Sequence, residues 1–181
     1  ANIGFILQLP DPIRIALLGQ VSAVLPTEEL DLVRLNMDVL GVVDFTAGTL
    51  SIDASLRDSR VVGLSLSGDM ALRANFSDDP TFLLAVGGFN PAFDAPESFP
   101  ELERLSVALD TVDDVSIGLS GYFALTSNTV QFGAAAWMSA KVLTYSVEGG
   151  VSFDVLVQFS PFMFRADIEF YISVKTERRT L

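Results

Sequence analysis

The chain has 181 residues, half of them hydrophobic, with 23 acidic and 11 basic side chains, a net charge of −12, and neither cysteine nor histidine. That balance repels a phosphate backbone and disfavours an anionic membrane surface. The two missing residue types exclude disulfides, Ser-His-Asp and Cys-His catalytic sets, and His/Cys zinc sites.

Ile3, Phe5 and Leu7 already alternate with other residues at the start of the chain. A period of two is the signature of a strand with one dry and one wet face. Asp11-Pro12 could open a helix over 13–24, but Ile13, Ile15 and Leu17 alternate and Gly19 weakens a helix, so a strand is expected. Pro26 to Glu29 reads as a turn or one short helical turn. Strands are then expected over Asp31–Phe45, Thr49–Leu56, Arg60–Phe76, Thr81–Phe89, Arg104–Leu109, Val115–Thr126, Thr129–Ala140, Thr144–Phe159 and Phe162–Lys175. The stretch 90–103, with Pro91, Pro96 and Pro100, reads as the one long loop, and Glu101 to Arg104 as a single helical turn within it.

Three hairpins carry registers in their patterns. Pairing Phe45 with Leu50 also pairs Val43 with Ile52 and Val39 with Leu56. Leu125 with Val130 sets Phe123 opposite Phe132 and Ile117 opposite Met138. Phe159 with Phe162 sets Val157 opposite Phe164, Phe153 opposite Ile168 and Val147 opposite Val174. A slip of one residue would turn each apolar set outward. Strands this long span roughly 33–53 Å, and a sheet so tall cannot leave an apolar face in water. Gly41, Gly68, Gly121, Gly149 and Gly150 fall inside strands, where glycines mark bends or bulges. Leu66-Ser67-Gly68 to Leu72 and Leu119-Ser120-Gly121 to Leu125 are alike, either as a repeat or because alternation forces likeness.

No basic n-region precedes an apolar stretch, and no run approaches 18 apolar residues. Strand patterns run close to both ends, so the chain is expected to be a single β domain, residues 1–181, cut from a longer protein.

Catalytic and metal signatures are sparse. In the third hairpin Asp154 faces Asp167, with Arg165 diagonal and Glu169 following, which reads as a solvated charge ladder or as an acid–base pair of glycosidase kind. Asp78-Asp79 and Asp110, Asp113 and Asp114 sit in turns, where carboxylates form turns or bind calcium. Ser139 and Lys141 share a strand face at a spacing that matches no nucleophile signature, and Gly87-Gly88 leads to Asn90-Pro91 rather than to a helix. Fourteen Phe stand against three Tyr and one Trp. That balance lacks the Tyr/Trp girdles of an outer-membrane barrel and suits a dry core or lipid-chain contact.

Several strings are similar to an uncharacterised bacterial family of very large β-rich proteins, classed as a domain of unknown function. They are Leu66-Ser67-Gly68-Asp69-Met70-Ala71-Leu72-Arg73, Phe89-Asn90-Pro91 to Leu105, Phe123 to Gly133, Val147-Glu148-Gly149 to Phe153-Asp154, and Gln158-Phe159-Ser160-Pro161-Phe162. The resemblance spans most of the chain. It implies continuation beyond Leu181 and no catalytic residue, cofactor or ligand.

The expected fold is all-β, an antiparallel meander of about ten long strands in a strongly curved sheet shaped as a half-pipe, barrel or sandwich. The leading functional expectation is a non-catalytic structural or interaction module of a larger bacterial assembly, partnered by other domains or by copies of itself. The alternative is a carrier of lipid or another apolar ligand in a groove lined by Phe76, Phe82, Phe123, Phe132, Phe153, Phe164 and Phe170. A third is a glycosidase using Asp154 and Asp167. No cofactor, metal or nucleic acid is expected.

Overall fold

The computed structural model describes residues 2–27, 30, 32–111, 114–142 and 144–176. The described residues hold thirteen strands and no helix. These are β1 (Asn2–Gln8), β2 (Arg14–Leu25), β3 (Val33–Asp44), β4 (Thr49–Leu56), β5 (Ser59–Val61), β6 (Leu64–Ser67), β7 (Asp69–Asn75), β8 (Thr81–Val86), β9 (Leu105–Thr111), β10 (Val115–Thr126), β11 (Thr129–Val142), β12 (Tyr145–Gln158) and β13 (Met163–Thr176). All pair antiparallel in one sheet.

The pairings contain a ring of eight strands, β3-β4-β7-β8-β10-β9-β6-β5. The ring is a seam within the sheet. β3 gives one edge to β2 over its whole length; its other edge meets β4 at Met37–Asp44 and β5 at Val33 and Arg34. β10 likewise gives one edge to β11 and the other to β8 and β9 in succession. β4–β5, β6–β7 and β8–β9 are therefore three long strands, each interrupted once. With them joined, the fold is a meander of ten long strands in one open curved sheet. β1 and β13 are its two edges, each with a single partner among the described residues.

Each interruption has a local cause. Between β4 and β5 an extra residue enters at Arg57-Asp58, with Asp58 at φ 45. The Ser59 hydroxyl repairs the ladder there, accepting from the Asn36 amide at 2.9 Å and donating to its carbonyl at 3.1 Å. Between β6 and β7 stands Gly68 at φ 140, and a Cβ there would lie 2.8 Å from the Leu105 backbone. Such bulges bend and twist a sheet. Between β8 and β9 the chain leaves the sheet as a long excursion, residues 87–104, and returns. Leu105 thus sits between Gly68 and its ladder partner Gly121, which places the two Leu-Ser-Gly strings on either side of β9.

Two expected registers match the structure: Phe123 opposite Phe132, and Phe153 opposite Ile168. The third is corrected by two residues, because Val43 pairs with Leu50 and Gly41 with Ile52. Asp44 decides it by accepting the Ala47 amide at 2.8 Å, which closes the turn one residue earlier. An even shift keeps each apolar residue on its face, so alternation cannot reveal it. The continuous strand expected over Arg60–Phe76 is broken by a hairpin turn at Val62-Gly63, with φ 51 and 80. Residues 101–104 form no helical turn. Of the strand glycines singled out, Gly68 breaks the ladder, while Gly41, Gly121, Gly149 and Gly150 are regularly paired. Glu28 and Glu29 lie outside the described residues.

Candidate functional site

Alternation and register together sort the whole sheet. One face carries Phe5 on β1, Leu17 on β2, Val39 on β3, Ile52 on β4, Leu72 on β7, Leu84 on β8, Phe123 on β10, Phe132 on β11, Phe153 on β12 and Phe170 on β13. No Asp, Glu, Lys or Arg occupies a paired position of this face among the described residues. The described strand charges project from the opposite face, in pairs such as Arg73 with Asp53 (2.8 Å) and Lys175 with Glu148 (3.0 Å), and Arg57 from the bulge between β4 and β5 meets Asp38 there.

Among the described residues nothing covers the apolar face. Phe170 is 83 % exposed and Ile168 77 %. The chain exposes 12227 Å² in all, whereas a compact monomer of 19.5 kDa exposes about 8,500 Å². Two hollows interrupt the face. One, of about 250 Å³, lies at the seam between Met37, Leu56, Leu66, Met70 and Leu105. The other, of about 280 Å³, lies between Leu119, Ala134, Ala136, Val151 and Phe153.

The seven phenylalanines expected to line a groove are placed as follows. Phe82, Phe123, Phe132, Phe153, Phe164 and Phe170 share the apolar face, and Phe76 extends it just past β7. Phe132 and Phe153 meet edge to face at 6.4 Å. Only Phe153 borders one of the two hollows.

The opposite face is covered at its centre by the excursion. Phe89, Phe99 and Leu102 pack on Ala71, Ala85 and Ala124, and Phe89 contacts Phe93 and Phe99 at 5.0 and 4.9 Å. Alanines on three adjacent strands leave room for those rings, and here the small core sits. The neck of the excursion is tied twice. Asp69 accepts the Gly87 amide on its carbonyl and the Glu103 amide on its carboxylate, and donates its own amide to the Glu103 carbonyl. Arg104 donates to the Gly87 and Phe89 carbonyls at 3.0 and 2.8 Å.

Beneath the neck lies a polar cluster. The Arg104 guanidinium stacks 3.9 Å from the Tyr122 ring centre, and the Tyr122 hydroxyl donates to Asp154 Oδ1 at 2.8 Å. Burial, then the Asp154 bond, pushes the Tyr122 phenol far above its ordinary range; burial pulls Arg104 below its own, against the attraction of Tyr122 and Asp154. Gln131, fully buried, accepts the Asn90 amide at 3.0 Å and donates to Thr129 Oγ1 at 2.9 Å. Asn90 is 2 % exposed, and its Nδ2 has no partner. A cavity of about 150 Å³ adjoins, lined by Pro91, Arg104, Ser120, Tyr122, Ser152 and Asp154. A protonated tyrosine, a carboxylate and a guanidinium held by carbonyls make a latch that clamps 87–104 to the sheet.

Asp154 and Asp167 are ladder partners, as the register required. Each has its own partner: the Tyr122 hydroxyl donates to Asp154, and the Arg165 guanidinium pairs with Asp167 at 2.6 Å. Asp78 and Asp79 lie in the exposed turn between β7 and β8, and Asp113 lies outside the described residues. Ser139 and Lys141 project from the charged face. Among the described residues no group of three or more acidic side chains could hold a metal ion. Sequence reasoning missed Tyr122, Arg104, Asn90, Gln131 and Thr129. The available signal was a loop carrying Phe89, Phe93, Phe99 and Leu102, since apolar loop residues need a surface to cover.

Fold and site together define an all-β protein built as one open amphipathic sheet, with a latched excursion on its polar side. The chain belongs to a family of unknown function, DUF6603, whose profile matches residues 1–181. No curated protein and no solved structure matches it.

Proposed function

We propose that this chain is a non-catalytic structural or interaction module of a larger assembly, in which further polypeptide covers the apolar face. The supporting observation is the charge-free face running uncovered from β1 to β13. The chain as a whole exposes about 3,700 Å² more than a compact monomer of its mass, more than the roughly 1,000–2,500 Å² that each partner contributes to an obligate interface. Such interfaces resemble a domain core cut in half, and this face has that composition. The test is solution mass by light scattering together with mass spectrometry of an organic extract. The reading expects a mass above the 19.5 kDa of one chain and a lipid-free extract. A monodisperse monomer loaded with lipid contradicts it.

A second reading, carriage of an apolar ligand, is favoured by one arrangement: the Phe132–Phe153 contact beside the hollow at Val151. An acyl chain laid along that hollow would meet a lining that is almost wholly hydrocarbon, with Ser120 and Ser152 at its margin. The same extract separates the two readings.

A further inference from the structure

We infer that the cover is a second copy of this chain, stacked apolar face on apolar face to make a two-sheet sandwich. The inference rests on the interaction reading above and names its partner. Three observations carry it. The first is area: a stable obligate dimer buries about 2,000–5,000 Å² in total, about half from each chain, and this chain exposes about 3,700 Å² more than a compact monomer of its mass.

The second is charge. Each chain carries −12, which opposes self-association wherever charges meet. Here every described strand charge projects from the other face. Sheets stacked about 10 Å apart then keep the two charged faces on opposite outer surfaces, beyond one Debye length of about 8 Å. The joined faces hold no buried ionic group to desolvate.

The third is relief. The face offers both knobs and hollows: Phe123, Phe132, Phe164 and Phe170 stand proud, while Ala134 and Ala136 floor one of the hollows. Facing apolar sheets pack by interdigitating large and small side chains. Hydrogen-bonding side chains are few on this face, Ser59, Tyr145 and Thr176 among them, which suits an apolar partner surface better than a polar one.

The test uses the absence of cysteine, so that a single introduced thiol reports alone. Sedimentation equilibrium of the full chain should give twice the 19.5 kDa chain mass. Thiols placed by Val151→Cys and Leu119→Cys, on the apolar face, should react with maleimide at least tenfold more slowly than one placed by Ala108→Cys on the charged face. Val151→Asp should yield a monomer; should that variant fail to fold, the cysteine rates still decide. A lipid-free assembly with a different protein overturns the second copy while leaving the interaction reading intact. So does an edge-to-edge oligomer in which Val151→Cys labels as fast as Ala108→Cys. A lipid-loaded monomer overturns both.

Discussion

Val62 occupies the first position of the two-residue turn joining β5 to β6, at φ 51 and 68 % exposed. A β-branched residue there is strained, and such turns favour Asn before Gly. Val62→Asn is expected to raise stability by about 1 kcal/mol, read as a higher denaturant midpoint at unchanged slope; an unchanged or lower midpoint would refute the strain. Asp44 is a second residue-scale determinant. The Ala47 amide, then the Arg14 guanidinium at 2.5 Å, holds its carboxyl below the ordinary value of 3.8. A depressed carboxylate contributes stability in full above its unfolded pKa and loses it as pH falls through the folded one. Asp44→Asn should therefore lower the melting temperature at neutral pH and flatten its decline from roughly pH 5 to 2. Parallel melting curves for the two proteins would contradict that assignment.

The excursion 87–104 is the element whose attachment is most open to test. Gln131 satisfies the Asn90 amide and Thr129 at once, from a fully buried position. Gln131→Ala leaves the buried Asn90 amide unpaired, while Thr129 keeps the Thr126 hydroxyl at 2.9 Å, for an expected loss of about 2 kcal/mol. Amide exchange should quicken over residues 89–92 and stay unchanged in β12–β13; uniform acceleration would mean that Gln131 holds the sheet rather than the excursion. The polar face has a second device, aromatic rings laid over glycines of the neighbouring strand. Trp137 covers Gly118, Tyr122 covers Gly133 and Tyr171 covers Gly150, each leaving no space for a Cβ. Elements were legible where apolar residues matched along a whole hairpin, as in β10–β11 and β12–β13. They were illegible where the deciding signal was not periodic: the Asp44 turn contact, or Val62-Gly63 hidden inside an alternating run. Nothing in a period of two says which wet positions a loop will cover, so Tyr122, Asp154 and Gln131 looked like surface.

At the scale of the molecule, one amphipathic sheet of ten long strands explains both composition and charge. Its dry side was legible from Phe5 to Phe170, because every register that keeps the pleat keeps the sorting. What lies on that side was not legible, since hydrocarbon demands burial without specifying by what. We propose that this side is covered in the working protein. β13 offers the clearest reading of it, because residues on both its faces are exposed in the single chain. A polarity-sensitive fluorophore placed at successive single cysteines from Phe164 to Val174 measures it directly. The account predicts emission alternating with period two, dry at Phe164, Ala166, Ile168, Phe170, Ile172 and Val174 and wet at Arg165, Glu169, Tyr171 and Ser173. Uniformly wet emission along β13, or dryness at the odd positions, would contradict it.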